Sequence, residues 1–308
     1  MSTPPSPASL SDAEDDQTPI EPITLEEIPT LRYLYKSKRL IQSPNQARFP
    51  FRDDFLDRVS LFQGDITRLA VDSIVNAANR SLLGGGGVDG AIHSAAGYGL
   101  LKECRTLGGA DTGEAKITKG YNLPSKHIIH AVGPVYSNSQ RDIKAAQLSS
   151  CYSNSLVLAI ENSLTSIAFC SISTGIYGYP IEDATHIALE TTRTFLEQKG
   201  EAEKLERVIF VVWSNKDKEV YEELIPQYFP ETDMEAPEGQ DDGEEQPPET
   251  QESQMRDEEE SMVSEEEATS PDKQSTVTPA TDPPPKEATP EATPVEGNLA
   301  ETTTKKTE

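Results

Sequence analysis

The sequence predicts an α/β fold: a three-layer α/β/α domain with a mixed, mostly parallel central sheet, followed by a disordered acidic tail. Three observations carry this expectation. Apolar strand-like runs alternate with helical patterns through residues 58–230. The run Val208-Ile209-Phe210-Val211-Val212 is apolar throughout, as a strand covered on both faces must be. Two glycine-rich turns, Gly84-Gly85-Gly86-Gly87-Val88-Asp89-Gly90 and Ser173-Thr174-Gly175-Ile176-Tyr177-Gly178, each follow a strand-like run, where open α/β sheets bind ligands.

Along the chain, a short helix from Thr30 to Leu40 opens an N-terminal arm, residues 31–57, which ends in a Pro-containing connection. Strands are expected at Val59–Phe62 and Ser73–Val75, then one helix from Val88 to about Glu103. Ala115–Thr118 and His127–Val132 are again strands. The next helix carries Ala146, Leu148, Tyr152, Leu156, Ala159 and Ile160 on one stripe, at the 3.6-residue period of a buried face. A strand at residues 166–172, a helix from Ile181 to about Gln198, a strand from Arg207 to Trp213 and a helix from Asp217 to about Tyr228 complete the alternation.

Charge divides the chain. It carries a formal net charge of -26, with 53 acids against 27 bases. Residues 1–30 hold 7 acids and no base, and residues 231–308 hold 24 acids and 5 bases, so the middle is neutral. No aromatic residue follows Phe229. Segments of this composition cannot bury enough apolar surface to offset chain entropy, so 1–30 and 231–308 are expected to be disordered. The tail is either a solvated extension or a docking segment for a basic protein, and its Ser270-Pro271 and Thr278-Pro279 steps are candidate phosphate acceptors.

Several classes are disfavoured. Cys104, Cys151 and Cys170 form no CxxC pair and leave an odd count, which suits reduced thiols of a cytoplasmic or nuclear protein. The four histidines show no ligand spacing, so no metal or cofactor is expected. No basic, apolar leader and no run near the ~20 residues of a membrane span is present, so neither secretion nor membrane insertion is expected. No nucleic-acid partner is expected, and the chain is expected to be a monomer.

The glycine turns carry the chemistry. Glycine lets the backbone approach a ligand and aim N–H groups at an anion, so two such loops can hold a diphosphate from both sides. Asp89 is the one carboxylate within them. Gly85-Gly86-Gly87-Val88-Asp89-Gly90 also matches the dinucleotide fingerprint G-x-G-x-x-G, but residues Asn76 through Leu83 separate it from the expected strand end, and no Lys-Ser/Thr follows to make a phosphate loop of the Walker type.

Four runs in order, Gly64-Asp65-Ile66-Thr67, Ile74-Val75-Asn76-Ala77-Ala78-Asn79, Gly84 through His93 and Ser173 through Gly178, resemble the macrodomain. Within it they look like the MacroD-type branch, which hydrolyses ADP-ribose esters. The resemblance covers about residues 58–229; the Leu-rich arm and acidic tail are similar to those of fungal members. It implies a hydrolase that removes mono-ADP-ribose from acidic residues of proteins and deacetylates O-acetyl-ADP-ribose, without a metal. A non-catalytic ADP-ribose reader and an ADP-ribose 1″-phosphate phosphatase are the alternatives.

Carried over residue by residue, the resemblance places Asp65 on the adenine amino group, with the Ile66 N–H alongside. Trp213 then stacks on adenine or belongs to the core. Gly86, Gly87, Val88, Ser173, Thr174, Gly175, Ile176, Tyr177 and Gly178 surround the diphosphate, and Tyr177 also walls the distal ribose. Asn79 contacts the distal ribose hydroxyls, and Asn76 orders the loop. Asp89 is the candidate base, with His93 at i+4 to hold its carboxylate. Ser94, Cys170-Ser171 and Gly109-Ala110-Asp111 depart from the usual pattern, which bears on substrate preference.

Overall fold

The computed structural model describes residues 21–42, 47–198 and 200–232. The disorder expected for 1–30 and 231–308 therefore falls outside the described residues, except at 21–30 and 231–232. Residues 21–30 correct that expectation. β1 (Ile23–Thr24) pairs in parallel with β3 (Leu69–Ala70), and Ile28 is buried. Charge averaged over thirty residues hid the apolar triplet Ile23, Leu25 and Ile28, which packs on the core.

The arm is likewise part of the domain. Helix α1 (Leu31–Lys36) starts at Thr30, whose hydroxyl accepts from the Tyr33 N–H, and it ends earlier than expected at Ser37. The connection after it contains a helix the sequence did not suggest, α2 (Asp53–Arg58). Leu31, Leu34, Tyr35, Phe55 and Leu56 are buried in the common core. Burial of each such side chain stabilises by about 1.5–3 kcal/mol relative to exposure, more than enough to fix so short a helix.

The main sheet has six strands in the order β2 (Val59–Gln63), β8 (Arg207–Val212), β7 (Ser166–Cys170), β4 (Ser73–Ala78), β6 (His127–Val132), β5 (Ala115–Lys119). All neighbours are parallel except β5, which runs antiparallel to β6 at the edge. This is the mixed, mostly parallel sheet expected. Val75 is level with Ile129 and Phe169, and Phe169 with Phe210, so these four share one face. Tyr152 of α5 (Arg141–Glu161) and Tyr221 of α7 (Asn215–Tyr228) stack onto that face, with α6 (Ile181–Leu196) between them. Side chains alternate along a strand, so Asn76 and His130 point to the opposite face. There α3 (Gly87–Ala96) and α4 (Tyr98–Leu107) cover β4 and β5.

Two differences from the expected elements bear on the site. The helix expected from Val88 to Glu103 is broken at Gly97, whose φ of +82° suits glycine and turns the chain between α3 and α4. Strand β4 runs on to Ala78, so Asn76 lies within the sheet and not in the loop beyond it. No described helix is long and apolar enough to cross a membrane.

Candidate functional site

Five parallel strands end on one cavity of about 650 Å³. Asp65 follows β2, Asn79 follows β4, Gly133 follows β6, Ser171 follows β7 and Trp213 follows β8, and all line it. This is the carboxyl-end location that a parallel sheet favours. Its walls are the two glycine turns. Ile176 reaches across, so that a Cβ on Gly86 would stand only 3.2 Å from its Cδ1.

The first turn leads into α3 with Gly86 as its N-cap and Gly87 at φ +64°. A glycine cap has no side chain to accept from the opening N–H groups, so these remain directed out of the helix start. In the second turn, the N–H groups of Ser173, Gly175, Ile176 and Tyr177 donate to no protein acceptor among the described residues, whereas Gly178 N–H donates to Gly175 O at 3.0 Å. Ser173 holds a φ of +67°, costly for a residue with a Cβ, and its buried hydroxyl lacks a partner. Gly133 makes that possible, because a Cβ there would sit 2.1 Å from Ser173 Oγ.

Asp89 sits in the first turn of α3 and is 3% exposed. Asn76 Nδ2 donates to its Oδ1 at 2.7 Å. Asn79 Nδ2 lies 3.5 Å from its Oδ2 and donates to Gly84 O at 2.8 Å, fixing the glycine turn. His93 Nε2 stands 3.5 Å from Asp89 Oδ1, within charge contact but without hydrogen-bond geometry, and its ring packs against Gly84. Burial pushes the Asp89 carboxyl above the usual carboxylate range, and the Asn76 bond and His93 pull part of the way back. A carboxylate raised in this way is a better proton acceptor, the property a general base needs.

Behind Asp89 lies a chain of polar groups that sequence reasoning missed. Asn76 Nδ2 also meets His130 Nδ1 at 3.1 Å, and His130 Nε2 meets Thr118 Oγ1 at 2.9 Å. Asn76 and His130 are fully buried. Burial, with His93 nearby, lowers His130 to about 3, so it stays neutral. Among the described residues, the ligating atoms of His93, Cys104 and His130 lie within 4.8 Å of one another, but the His130 nitrogens are already engaged by Asn76 and Thr118.

At the other end of the cavity, Asp65 Oδ1 accepts from Thr67 N at 2.9 Å and Thr67 Oγ1 at 2.7 Å, capping a short turn, while Oδ2 has no protein partner among the described residues. The carboxylate is therefore both a cap and an open acceptor. Trp213 is 75% exposed at the rim, with Asp217 beside it, so it is not core.

Of the residues singled out in the sequence, Asp65, Ile66, Asn79, Gly86, Gly87, Val88, Asp89, Ser173, Thr174, Gly175, Ile176, Tyr177 and Trp213 line the cavity. Three do not. Asn76 points off the sheet beneath Asp89, His93 lies one helical turn behind it, and the Gly178 N–H is spent inside its own turn. Gly133 and Asp217 were missed, because one glycine and one acid carry no pattern on their own.

The family model of the Macro domain matches residues 75–188. The ADP-ribose glycohydrolase MACROD2 of Xenopus laevis is 47% identical over 219 residues, covering 71% of this chain and 52% of the relative. The ADP-ribose glycohydrolase MACROD1 of Rattus norvegicus is 55% identical over 174 residues, covering 56% and 67%. The chain thus spans about half the length of the first relative and two thirds of the second. The Trypanosoma brucei macrodomain in complex with ADP-ribose superposes with a TM-score of 0.56 at 41% identity, covering 67% of this chain and 78% of that one.

Proposed function

This chain belongs to the macro domain family, and from that premise we propose that it hydrolyses esters of ADP-ribose. It removes mono-ADP-ribose from acidic residues of proteins and deacetylates O-acetyl-ADP-ribose. The observation that carries this reading is a buried carboxylate, Asp89, at the floor of a cavity whose two walls present unpaired backbone N–H groups. The relatives named as ADP-ribose glycohydrolases and the ADP-ribose complex support the same choice.

The geometry supports the following roles. Asp65 Oδ2 accepts from the adenine amino group, a donor, and Trp213 covers the base at the rim. The start of α3 and the N–H groups of Ser173, Gly175, Ile176 and Tyr177 hold the diphosphate. Asn79 Nδ2 donates firmly to Gly84 O, and its second hydrogen makes only a long 3.5 Å contact with Asp89 Oδ2, which a hydroxyl of the distal ribose would replace. Asp89 orients a water and takes its proton. The water oxygen bonds to the acyl carbon, the bond from that carbon to the ribose oxygen breaks, and the ribose oxygen takes the proton back from Asp89 and leaves as a hydroxyl. A free carboxylic acid and ADP-ribose are the products.

The test is release of ADP-ribose from a protein mono-ADP-ribosylated on glutamate, with chelator present, by the wild type beside Asp89→Ala. The variant should keep ADP-ribose affinity and lose roughly 10²-fold or more in turnover, the scale of a lost acid–base group. Binding without release by the wild type would make the chain a reader. Full turnover by Asp89→Ala would remove Asp89 from the reaction.

A further inference from the structure

His130 is fully buried on β6, lies outside the cavity lining and has no place in the hydrolysis described above. Its position is nonetheless specific. An ionised carboxylate can only accept, so the Asn76 edge facing Asp89 must be the amino edge. The same Nδ2 points its second hydrogen at His130 Nδ1, 3.1 Å away. That contact is a bond only if Nδ1 is a bare lone pair, which fixes the imidazole as the neutral tautomer protonated at Nε2. Nε2–H then donates to Thr118 Oγ1 at 2.9 Å. The cost of the arrangement is visible, since Asn76 Oδ1 is buried with no partner.

The orphaned oxygen shows what the imidazole holds off. Rotating the Asn76 amide by half a turn keeps its shape and turns Oδ1 toward Asp89. An acceptor there repels the carboxylate and favours the protonated acid, which can donate. A histidine protonated at Nδ1 would stabilise that rotated amide; one bare at Nδ1 stabilises the amino edge. We propose that His130 is a positioning residue for this site: by accepting at Nδ1 it holds the Asn76 amide with its N–H toward Asp89, and so keeps Asp89 ionised as the base. The proposal rests on the hydrolase reading for its kinetic consequence, not for its geometry.

The other titratable groups that face Asp89 do not compete for this role. They are His93 on its own helix, Cys104 on α4 and Cys170 at the end of β7. Burial pushes the two thiols up to about 11 and about 12, so both remain neutral. His130 itself, held down to about 3, keeps its lone pair throughout the working range.

Two substitutions separate positioning from packing. His130→Leu removes the acceptor while filling the space, and His130→Asn returns an oxygen near the former Nδ1. In His130→Leu, kcat should fall roughly tenfold or more on the acid side of its pH profile, the equivalent of one lost charge-assisted bond, with the acid limb moved to higher pH and KM nearly unchanged. His130→Asn should return the limb toward wild type. Equal profiles in the two variants, or a change confined to KM, would overturn the proposal. Two readouts need no turnover. Nitrogen-15 NMR of histidine-labelled wild type should show His130 bare at Nδ1, and a carbon-13 titration of the Asp89 carboxyl should follow the same order among the three proteins. A proton on Nδ1, or an Asp89 titration indifferent to His130, would refute it even if the wild type proved to be a reader or His130→Leu failed to fold.

Discussion

Gly90 offers the sharpest check on how the first glycine turn is held. It sits one turn into α3 with its Cα facing the loop, and a Cβ at that point would stand 2.6 Å from the Gly85 carbonyl oxygen. A methyl carbon and a carbonyl oxygen settle at about 3.3 Å, so Gly90→Ala must separate helix and loop by about 0.7 Å. Two opposing contributions then meet. Alanine in a helix interior gains about 1 kcal/mol over glycine, while overpacking a close contact costs about 1–3 kcal/mol. The variant should therefore fall between neutral and about 2 kcal/mol less stable, a small change. Function should respond more. A displacement of this size exceeds the ~0.5 Å tolerance of a productive site, and with Asp89 adjacent it should lower kcat by about 10- to 100-fold. Urea unfolding, ADP-ribose calorimetry and ester turnover on one preparation would decide. A Gly90→Ala protein more stable than wild type, with unchanged affinity and turnover, would refute the reasoning that the close packing of α3 on Gly85 helps to hold the first glycine turn in place.

Two further outcomes concern stability. Arg193 is fully buried and its guanidinium donates to Tyr228 O at 2.9 Å, Pro50 O at 2.7 Å and Glu197 Oε1 at 2.8 Å, so Arg193→Met should cost about 3–5 kcal/mol in urea unfolding; a loss below about 1 kcal/mol would show that the arm does not depend on it. Asp72 accepts from Lys126, the Thr165 N–H and hydroxyl, and the Ser166 N–H; burial alone would raise its carboxyl, but these donors bring it down to about 2. A depressed folded value adds stability above the unfolded value near 4 and loses it as pH falls through about 2. With allowance for the exposure of Lys126, about 1–2 kcal/mol should disappear across that window, and Asp72→Asn should abolish that part of the pH dependence.

The fold was largely legible because strands such as Val208–Val212 and the glycine turns speak through local pattern. What escaped notice is instructive. Gly97 looked like one more residue in a helix, yet its positive φ divides two helices that aim Asp89 and Cys104 at the same interior. Asn76 looked like a loop residue because a polar side chain in an apolar run suggests a strand end; its amide nitrogen is instead held beneath the sheet's face by partners 13 and 54 residues away. His130 and Thr118 had no signal at all, since they become neighbours only through the antiparallel pairing of β5 with β6. Residues 21–30 failed for the opposite reason: the acidic composition of 1–30 outweighed three apolar residues, Ile23, Leu25 and Ile28, that pack on the core.

The strand order has a consequence for how such a chain comes into being on a ribosome. Val59–Gln63, near the start of the domain, finds its strand partner among the described residues in Arg207–Val212, near its end, with one isolated bridge from Ser60 to Thr30 on its other side. Closing so long a loop is slow, and the unsatisfied strand is exposed while it waits. The cavity wall contributed by Asp65 and the rim contributed by Trp213 cannot face each other until about 150 residues have been made between them. A growing chain therefore cannot bind nucleotide early to steady itself; ligand can assist only the last step of folding, after the final strand has entered the sheet.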